Sequence, residues 1–142
     1  MIVFLFTTIV SVLIPAFVRL CSFLPWWVSY SDVWKFFRVA SLTGWPYVDI
    51  SIEYPPVISL FIRGAGIIGS TQVMYYVLSV CALALCAALT TFFLLKFLEP
   101  EQRTRIWTFW IFAPTFIIFS VMNWDALVVL FSVLAFFYIQ RN

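Results

Sequence analysis

Apolar residues run almost unbroken from Ile2 to Leu20, Gln72 to Phe97, Ile106 to Val121 and Ala126 to Ile139. A helix rises about 1.5 Å per residue, and crossing the hydrocarbon core of a bilayer takes about 20 residues. The pattern therefore predicts four membrane-spanning helices, the last two short for a bilayer. Between the first two lies a longer mixed segment, 25–70, read as an external loop holding two further short helices. In the first of these, Ser31 to Thr43, the apolar Val33, Phe36, Phe37 and Ala40 recur at helical spacing. Asp32, Lys35, Arg38 and Ser41 take the opposite side. Such a helix is expected to lie on the bilayer with its aromatics down, with Ser31 as its N-cap and Asp32 in its first turn. Gly44-Trp45-Pro46 ends it and Tyr47 to Tyr54 is a loop. Pro55-Pro56 then opens a second short helix, Val57 to Gly69, that carries Arg63.

Interfacial signals punctuate the pattern. Pro25-Trp26-Trp27 stops the first span at a membrane surface, and Tyr75 with Tyr76 is expected to anchor one end of the second, Lys96 the other. Glu99 to Arg105 is a polar turn, Pro114 kinks the third span, and Asn123-Trp124-Asp125 is a tight polar tip. Gln140-Arg141-Asn142 returns to water. Four crossings place both termini and the Arg103/Arg105 turn on one side, with the Asp32 loop and the Asn123-Trp124-Asp125 tip on the other. Lys96, Arg103, Arg105 and Arg141 mark the first side as cytoplasmic, although Lys35, Arg38 and Arg63 oppose them. Met1-Ile2-Val3 lacks a positive n-region, and Leu20 is bulky for a lipoprotein site at Cys21, so the first helix is expected to stay uncleaved. The expectation is an all-α, multi-pass protein with a single membrane domain over 1–142.

Composition agrees with this picture and removes several kinds of chemistry. The chain is 65% hydrophobic and 10% charged, with 17 Phe and 7 Trp in 142 residues, which excludes an ordinary soluble domain. A net charge of +2 without a basic stripe gives no reason to expect a nucleic-acid partner. Histidine is absent, which removes His-based catalysis and the usual zinc ligand sets. Cys21, Cys81 and Cys86 fit neither a metal knuckle nor a redox pair and read as buried, unreactive thiols. Gly64-Ala65-Gly66-Ile67-Ile68-Gly69 matches the letters of a dinucleotide fingerprint, but it lacks the preceding strand and the later acid. Its glycines read as a bend and close packing. No cofactor is expected. The carboxylates are too scattered to name a metal site.

Half of the six carboxylates, Asp32, Asp49 and Glu53, fall between Tyr30 and Pro56, with Lys35 and Arg38 among them and Arg63 beyond. Acid beside a bilayer is costly unless it faces water or a partner. With the Asn123-Trp124-Asp125 tip on the same side, Asp32, Asp49, Glu53 and Asp125 share a compartment with these cations. A carboxylate that takes a proton from a hydroxyl, next to cations that hold a phosphate, suits glycosyl transfer from a lipid phosphate.

Tyr30-Ser31-Asp32-Val33-Trp34, Gly44-Trp45-Pro46-Tyr47-Val48-Asp49 and Glu53-Tyr54-Pro55-Pro56, in this order, resemble the first external loop of the GT-C membrane glycosyltransferases. Ala113-Pro114, Asn123-Trp124-Asp125-Ala126-Leu127 and Gln140-Arg141-Asn142 resemble their third and fourth spans. The likeness is nearest to the polyprenyl-phosphate-mannose-dependent mannosyltransferases (glycosyltransferase family 87-like) and covers most of the chain. It implies a catalytic base at Asp32, two juxtamembrane helices, a polyprenyl-phosphate sugar donor, inverting chemistry and a lipid-linked or glycan acceptor. The active side would be non-cytoplasmic, in the cell membrane or, in a eukaryote, the endoplasmic reticulum. Members generally have eight or more spans, so the chain is expected to be an incomplete N-terminal module or a minimal form that pairs with a further membrane subunit.

Each residue also has a structural reading. Asp32 is a first-turn acid that a helix dipole would favour. Asp49 and Glu53 also read as loop solvation, Asp125 as an N-cap for the last span, and Arg38 and Arg63 as nonspecific headgroup contacts. A truncated, non-catalytic subunit of a transferase complex is the alternative function. A transporter is disfavoured because the three later spans hold no mid-span charge.

Overall fold

The computed structural model describes residues 1–21, 31–40 and 44–140. The described residues are all-α, without a named strand. Its helices are α1 (Ile2–Leu20), α2 (Asp32–Lys35), α3 (Phe37–Ala40), α4 (Pro56–Ile68), α5 (Gln72–Phe97), α6 (Pro114–Phe119) and α7 (Asp125–Ile139). The expectations for Pro25-Trp26-Trp27, Tyr30, Ser41, Thr43 and Arg141 lie outside the described residues.

Among the described residues, two helices are long and apolar enough to cross a membrane: α1 with 19 residues and α5 with 26. At 1.5 Å per residue they measure about 28 and 39 Å, against a hydrocarbon core of about 30 Å. They lie side by side in opposite directions. Met1 and Phe4 share a recess with Leu95 and Lys96 at one end, and Leu20 shares one with Tyr76 at the other. Midway, Thr8 Oγ1 meets Thr91 Oγ1 at 3.0 Å, and the Trp110 indole N–H donates to the same Thr91 oxygen at 2.9 Å. Buried hydroxyls of this kind join helices where surrounding lipid supplies no hydrophobic drive between them. On the far side of α5 lies α7, with Phe137 edge-on to Phe93 and Phe97 at 5.0 and 5.4 Å.

The segment expected as a third span is broken. Trp107–Ile111 forms a π-helical turn, and α6 restarts at Pro114 with only six residues. Proline explains the restart: it cannot donate back to residue 110, and it suits the first turn of a new helix. The last helix, with 15 residues, reaches about 22 Å.

The loop helices form a layer across the end of the bundle. Helix α4 starts at Pro56, as its Pro55-Pro56 pair predicts, and packs on α3 and α5. The expected Ser31–Thr43 helix is interrupted at Phe36 into α2 and α3. At the interruption the Gln72 amide takes the Trp34 carbonyl at 3.1 Å. The apolar face is as the spacing predicts, but it covers protein rather than lipid. Val33 and Ala40 are buried, Phe37 lies 5.7 Å from Tyr75, and Phe36 meets Tyr54 edge-on at 5.1 Å. Tyr75 and Tyr76, expected as interfacial anchors, are fully buried beneath this layer, with Tyr76 against Trp34. Their rings fill the seam between the loop helices and the bundle. The thiols also differ from expectation: Cys86 is buried, but Cys81 is exposed and Cys21 half-buried.

Glycine is required at Gly66, where a Cβ would stand 2.4 Å from the Ala40 carbonyl oxygen and 2.5 Å from the Ala40 Cβ. Its absence lets α4 lie directly on α3.

Candidate functional site

Asp32 opens α2, and its position is set by two backbone contacts distant in sequence. The Ser31 hydroxyl donates to the Val121 carbonyl at 2.8 Å, and the Asp32 amide donates to the Met122 carbonyl at 2.7 Å. The Ser31 oxygen also accepts from the Trp34 amide at 3.4 Å, the N-cap role that its position before the apolar run predicts. Residues 31 and 32 are thereby fastened to the chain just ahead of the Asn123-Trp124-Asp125 corner. The two stretches predicted to share one side meet at one end of the bundle. The Arg103 turn lies at the other, in the recess holding Met1, Phe4, Leu95 and Lys96.

The Asp32 carboxylate is half-buried, and the Tyr54 hydroxyl stands 3.5 Å from Oδ2, a long contact. Tyr54 is held there from both sides. Phe36 packs on its ring, and its carbonyl accepts from the Tyr47 hydroxyl and from Ser59 Oγ. Tyr47 takes a left-handed backbone (φ 67) to fold back this way. Lys35 and Arg38 are exposed on the outer face of α2 and α3, and Glu53 is exposed in the loop before α4.

The other candidate residues have more local work. Asp49 Oδ2 accepts from the Trp45 amide at 2.8 Å, closing a tight turn whose first residue, Gly44, has φ +131. A Cβ at Gly44 would stand 2.6 Å from the Asp49 Cβ, so glycine and aspartate fit each other here. Arg63 lies half-buried on α4, donating from Nη1 to the Ala40 carbonyl at 2.6 Å and from Nε to the Gly44 carbonyl at 3.2 Å. It thus satisfies carbonyls that the end of α3 leaves open. Asp125 is exposed in the first turn of α7, accepting from the Asn123 side-chain amide at 2.7 Å. The N-cap residue of α7 is Trp124, with no side-chain cap of its own. The Asp125 amide donates to Asn123 Oδ1 at 3.2 Å. Asp125 also borders a cleft of about 280 Å³ with Trp110, Phe116, Phe119 and Ser120. Trp124 points inward, fully buried and edge-on to Phe61 at 5.2 Å.

The arrangement brings Asp32, Tyr54 and the 121–122 backbone together and leaves Asp49 and Arg63 as fasteners of the loop. Arg63→Gln is therefore expected to lower stability by about 1–3 kcal/mol, the cost of stranding partly buried carbonyls. Chemical denaturation in detergent, compared with wild type, measures it. An unchanged transition would remove Arg63 from the framework. Tyr54 is the residue that the sequence reading undervalued: the Glu53-Tyr54-Pro55-Pro56 run signalled a helix start, and only the packing turns its hydroxyl toward Asp32.

Among the described residues, no three Cys, Asp or Glu side chains gather into a group that could hold a metal ion. No protein-family model, curated protein or solved structure matches the chain.

Proposed function

We propose that the chain is a membrane glycosyltransferase module of the GT-C type, moving a hexose, mannose in the first instance, from a polyprenyl-phosphate donor to a lipid-linked or glycan acceptor. The observation that carries the reading is the fastening of Ser31 and Asp32 to Val121 and Met122, which sets a half-buried carboxylate over the end of the helical bundle. In this reading α1 and α5 are two of four crossings. The Trp107–Ile111 turn with α6 forms the third and α7 the fourth, and the Asp32 end faces the non-cytoplasmic side.

Asp32 is the general base. An acceptor hydroxyl attacks the anomeric carbon from the face opposite the phosphate, its proton passes to the Asp32 carboxylate, and the carbon–oxygen bond to the phosphate breaks. The products are the inverted glycoside and free polyprenyl phosphate. Proton removal strengthens the nucleophile, and nearby cations offset the charge gathering on the leaving phosphate.

The test is transfer of label from polyprenyl-phosphate mannose to a lipid acceptor by membranes containing the full chain, with a nucleotide-sugar donor as comparison. Transfer from the lipid donor alone is expected. No transfer above membranes lacking the chain would reject the reading.

A non-catalytic subunit of a transferase complex is the second reading. It is favoured by the last helix, of which only Leu130 is buried while Val128, Phe131, Phe136, Tyr138 and Ile139 are exposed. Co-purification with a multi-span partner, without turnover by the chain alone, would select it.

A further inference from the structure

Arg19 is a cation in the last turn of a helix long enough to cross a membrane, and it faces inward. Thr8, Val12, Ala16 and Arg19 lie along one side of α1, and the first three are buried. Ionisable groups so placed are expensive and ordinarily pair with an anion or several carbonyls. A guanidinium has five N–H donors. Arg19 uses Nη2 on the Ile118 carbonyl at 2.7 Å, while Nε and Nη1 are shielded from solvent with no hydrogen-bond partner.

The surroundings repeat the excess of donors. Arg19 lies close enough to Tyr76 for the two to interact electrostatically. Tyr76 is 1% exposed and Trp124 0% exposed, and neither the Tyr76 hydroxyl nor the Trp124 indole N–H has a partner. Both belong to one buried cluster, and Ser120, two residues beyond the carbonyl that Arg19 holds, has a buried unpartnered hydroxyl too. An unmade buried hydrogen bond costs about 1–3 kcal/mol, and more where the group is charged. Two unmade donors on the cation itself, and a third on the tyrosine beside it, define a place for an anion with several acceptor oxygens.

Tyr76 also borders a groove of about 230 Å³ between α1 and α5, whose other walls are apolar, among them Leu13, Phe17, Leu20, Val80 and Cys81. An anion-binding centre and an apolar channel therefore share one residue. We infer that Arg19, with Tyr76 beside it, binds the phosphate headgroup of a membrane lipid whose chain lies in the α1–α5 groove. Positive charge at one end and hydrocarbon walls along the other match such an amphiphile and suit neither free phosphate nor a neutral lipid. The inference rests on the transfer reading only for what the lipid does there, since it would place the donor's leaving phosphate at Arg19. The same segment that holds Arg19 at Ile118 holds Ser31 and Asp32 at Val121 and Met122, so cation and carboxylate flank one stretch of chain.

The experiment titrates the purified full chain in detergent with geranylgeranyl phosphate and counts bound ligand by native mass spectrometry. Geranylgeraniol, inorganic phosphate and phosphatidylcholine are run alongside. Geranylgeranyl phosphate is expected to bind at least tenfold more tightly than each of the three. Arg19→Gln should weaken it roughly ten- to a hundredfold, Tyr76→Phe several-fold, and Arg19→Lys less than Arg19→Gln. Should Arg19→Gln fail to fold, the Lys and Phe variants carry the test. Cys81→Trp, which fills the exposed groove, should weaken geranylgeranyl phosphate and leave inorganic phosphate unchanged.

Equal binding of geranylgeraniol, or affinity unchanged in all the Arg19 and Tyr76 variants, would overturn the site. Inorganic phosphate binding as tightly as the lipid would overturn the groove's part in it. Phosphatidylcholine, whose headgroup carries no net charge, binding as tightly would overturn the preference for an anionic headgroup. If the wild type binds the lipid in this way and yet transfers no sugar, the transfer reading alone fails.

Discussion

Asp32→Asn is expected to lower the rate of sugar transfer by roughly a hundredfold to ten-thousandfold, the range a positioned general base contributes. The substitution keeps the side chain's shape and removes only its capacity to accept a proton at neutral pH. Three contacts that place residue 32 do not depend on the carboxylate. They are the Asp32 amide on Met122, the Ser31 hydroxyl on Val121, and the cap from Ser31 to Trp34. Insertion and thermal stability should therefore stay close to wild type, and the loss should fall on kcat. A loss confined to KM would make Asp32 a binding group instead. Wild-type turnover in the mutant would end its role as base. Tyr54→Phe provides a graded comparison: its hydroxyl is 3.5 Å from Asp32 Oδ2, so only a several-fold effect is expected.

The second large effect is structural and lies in one helix. Gly66→Val should destabilise the protein by about 1–3 kcal/mol or more, because its Cβ would press on the Ala40 backbone rather than on a side chain that can move aside. Gly64→Ala, two residues earlier, should stabilise it by about 0.5–1 kcal/mol. Nothing lies within 4 Å of the added methyl group, and alanine loses less backbone entropy in a helix. Denaturation of the two variants in the same detergent gives the signs directly. Opposite signs are expected, and a destabilised Gly64→Ala or a neutral Gly66→Val would show that α3 and α4 are not packed as described. Because α3 follows α2 in the loop that carries Asp32, Gly66→Val should also reduce transfer, through misplacement of the loop rather than loss of a reacting group.

The thirteen-residue α4 shows how far local pattern reaches. Its start at Pro56, like the bounds of α5 and the capping by Ser31, follows from residues within four positions. Proline fixes φ, a hydroxyl reaches its own first turn, and an apolar run has few alternatives to a helix. The GxGxxG letters were likewise resolved by context alone, and the structure gives them a use: Gly66 admits Ala40. The third apolar run was harder. Pro114 announced a kink, but nothing in its spacing distinguished a bent span from a π-helical turn followed by a six-residue helix.

By itself the sequence determined that this protein is helical, that Ile2–Leu20 and Gln72–Phe97 are long and apolar enough to cross a bilayer, and that half of its acid collects in the first loop. Those properties depend on neighbours a turn away and on hydrophobic length. Only the tertiary structure decided where each polar group finds its partner. Gln72 takes the Trp34 carbonyl, Arg63 closes the end of α3, and Ser31 reaches Val121 across 90 residues. It also turned Tyr75 and Tyr76 inward and left Arg19 with nitrogens to spare. Such pairings are set by which surfaces packing brings within hydrogen-bond distance, and the same side chains would satisfy local rules equally well facing outward.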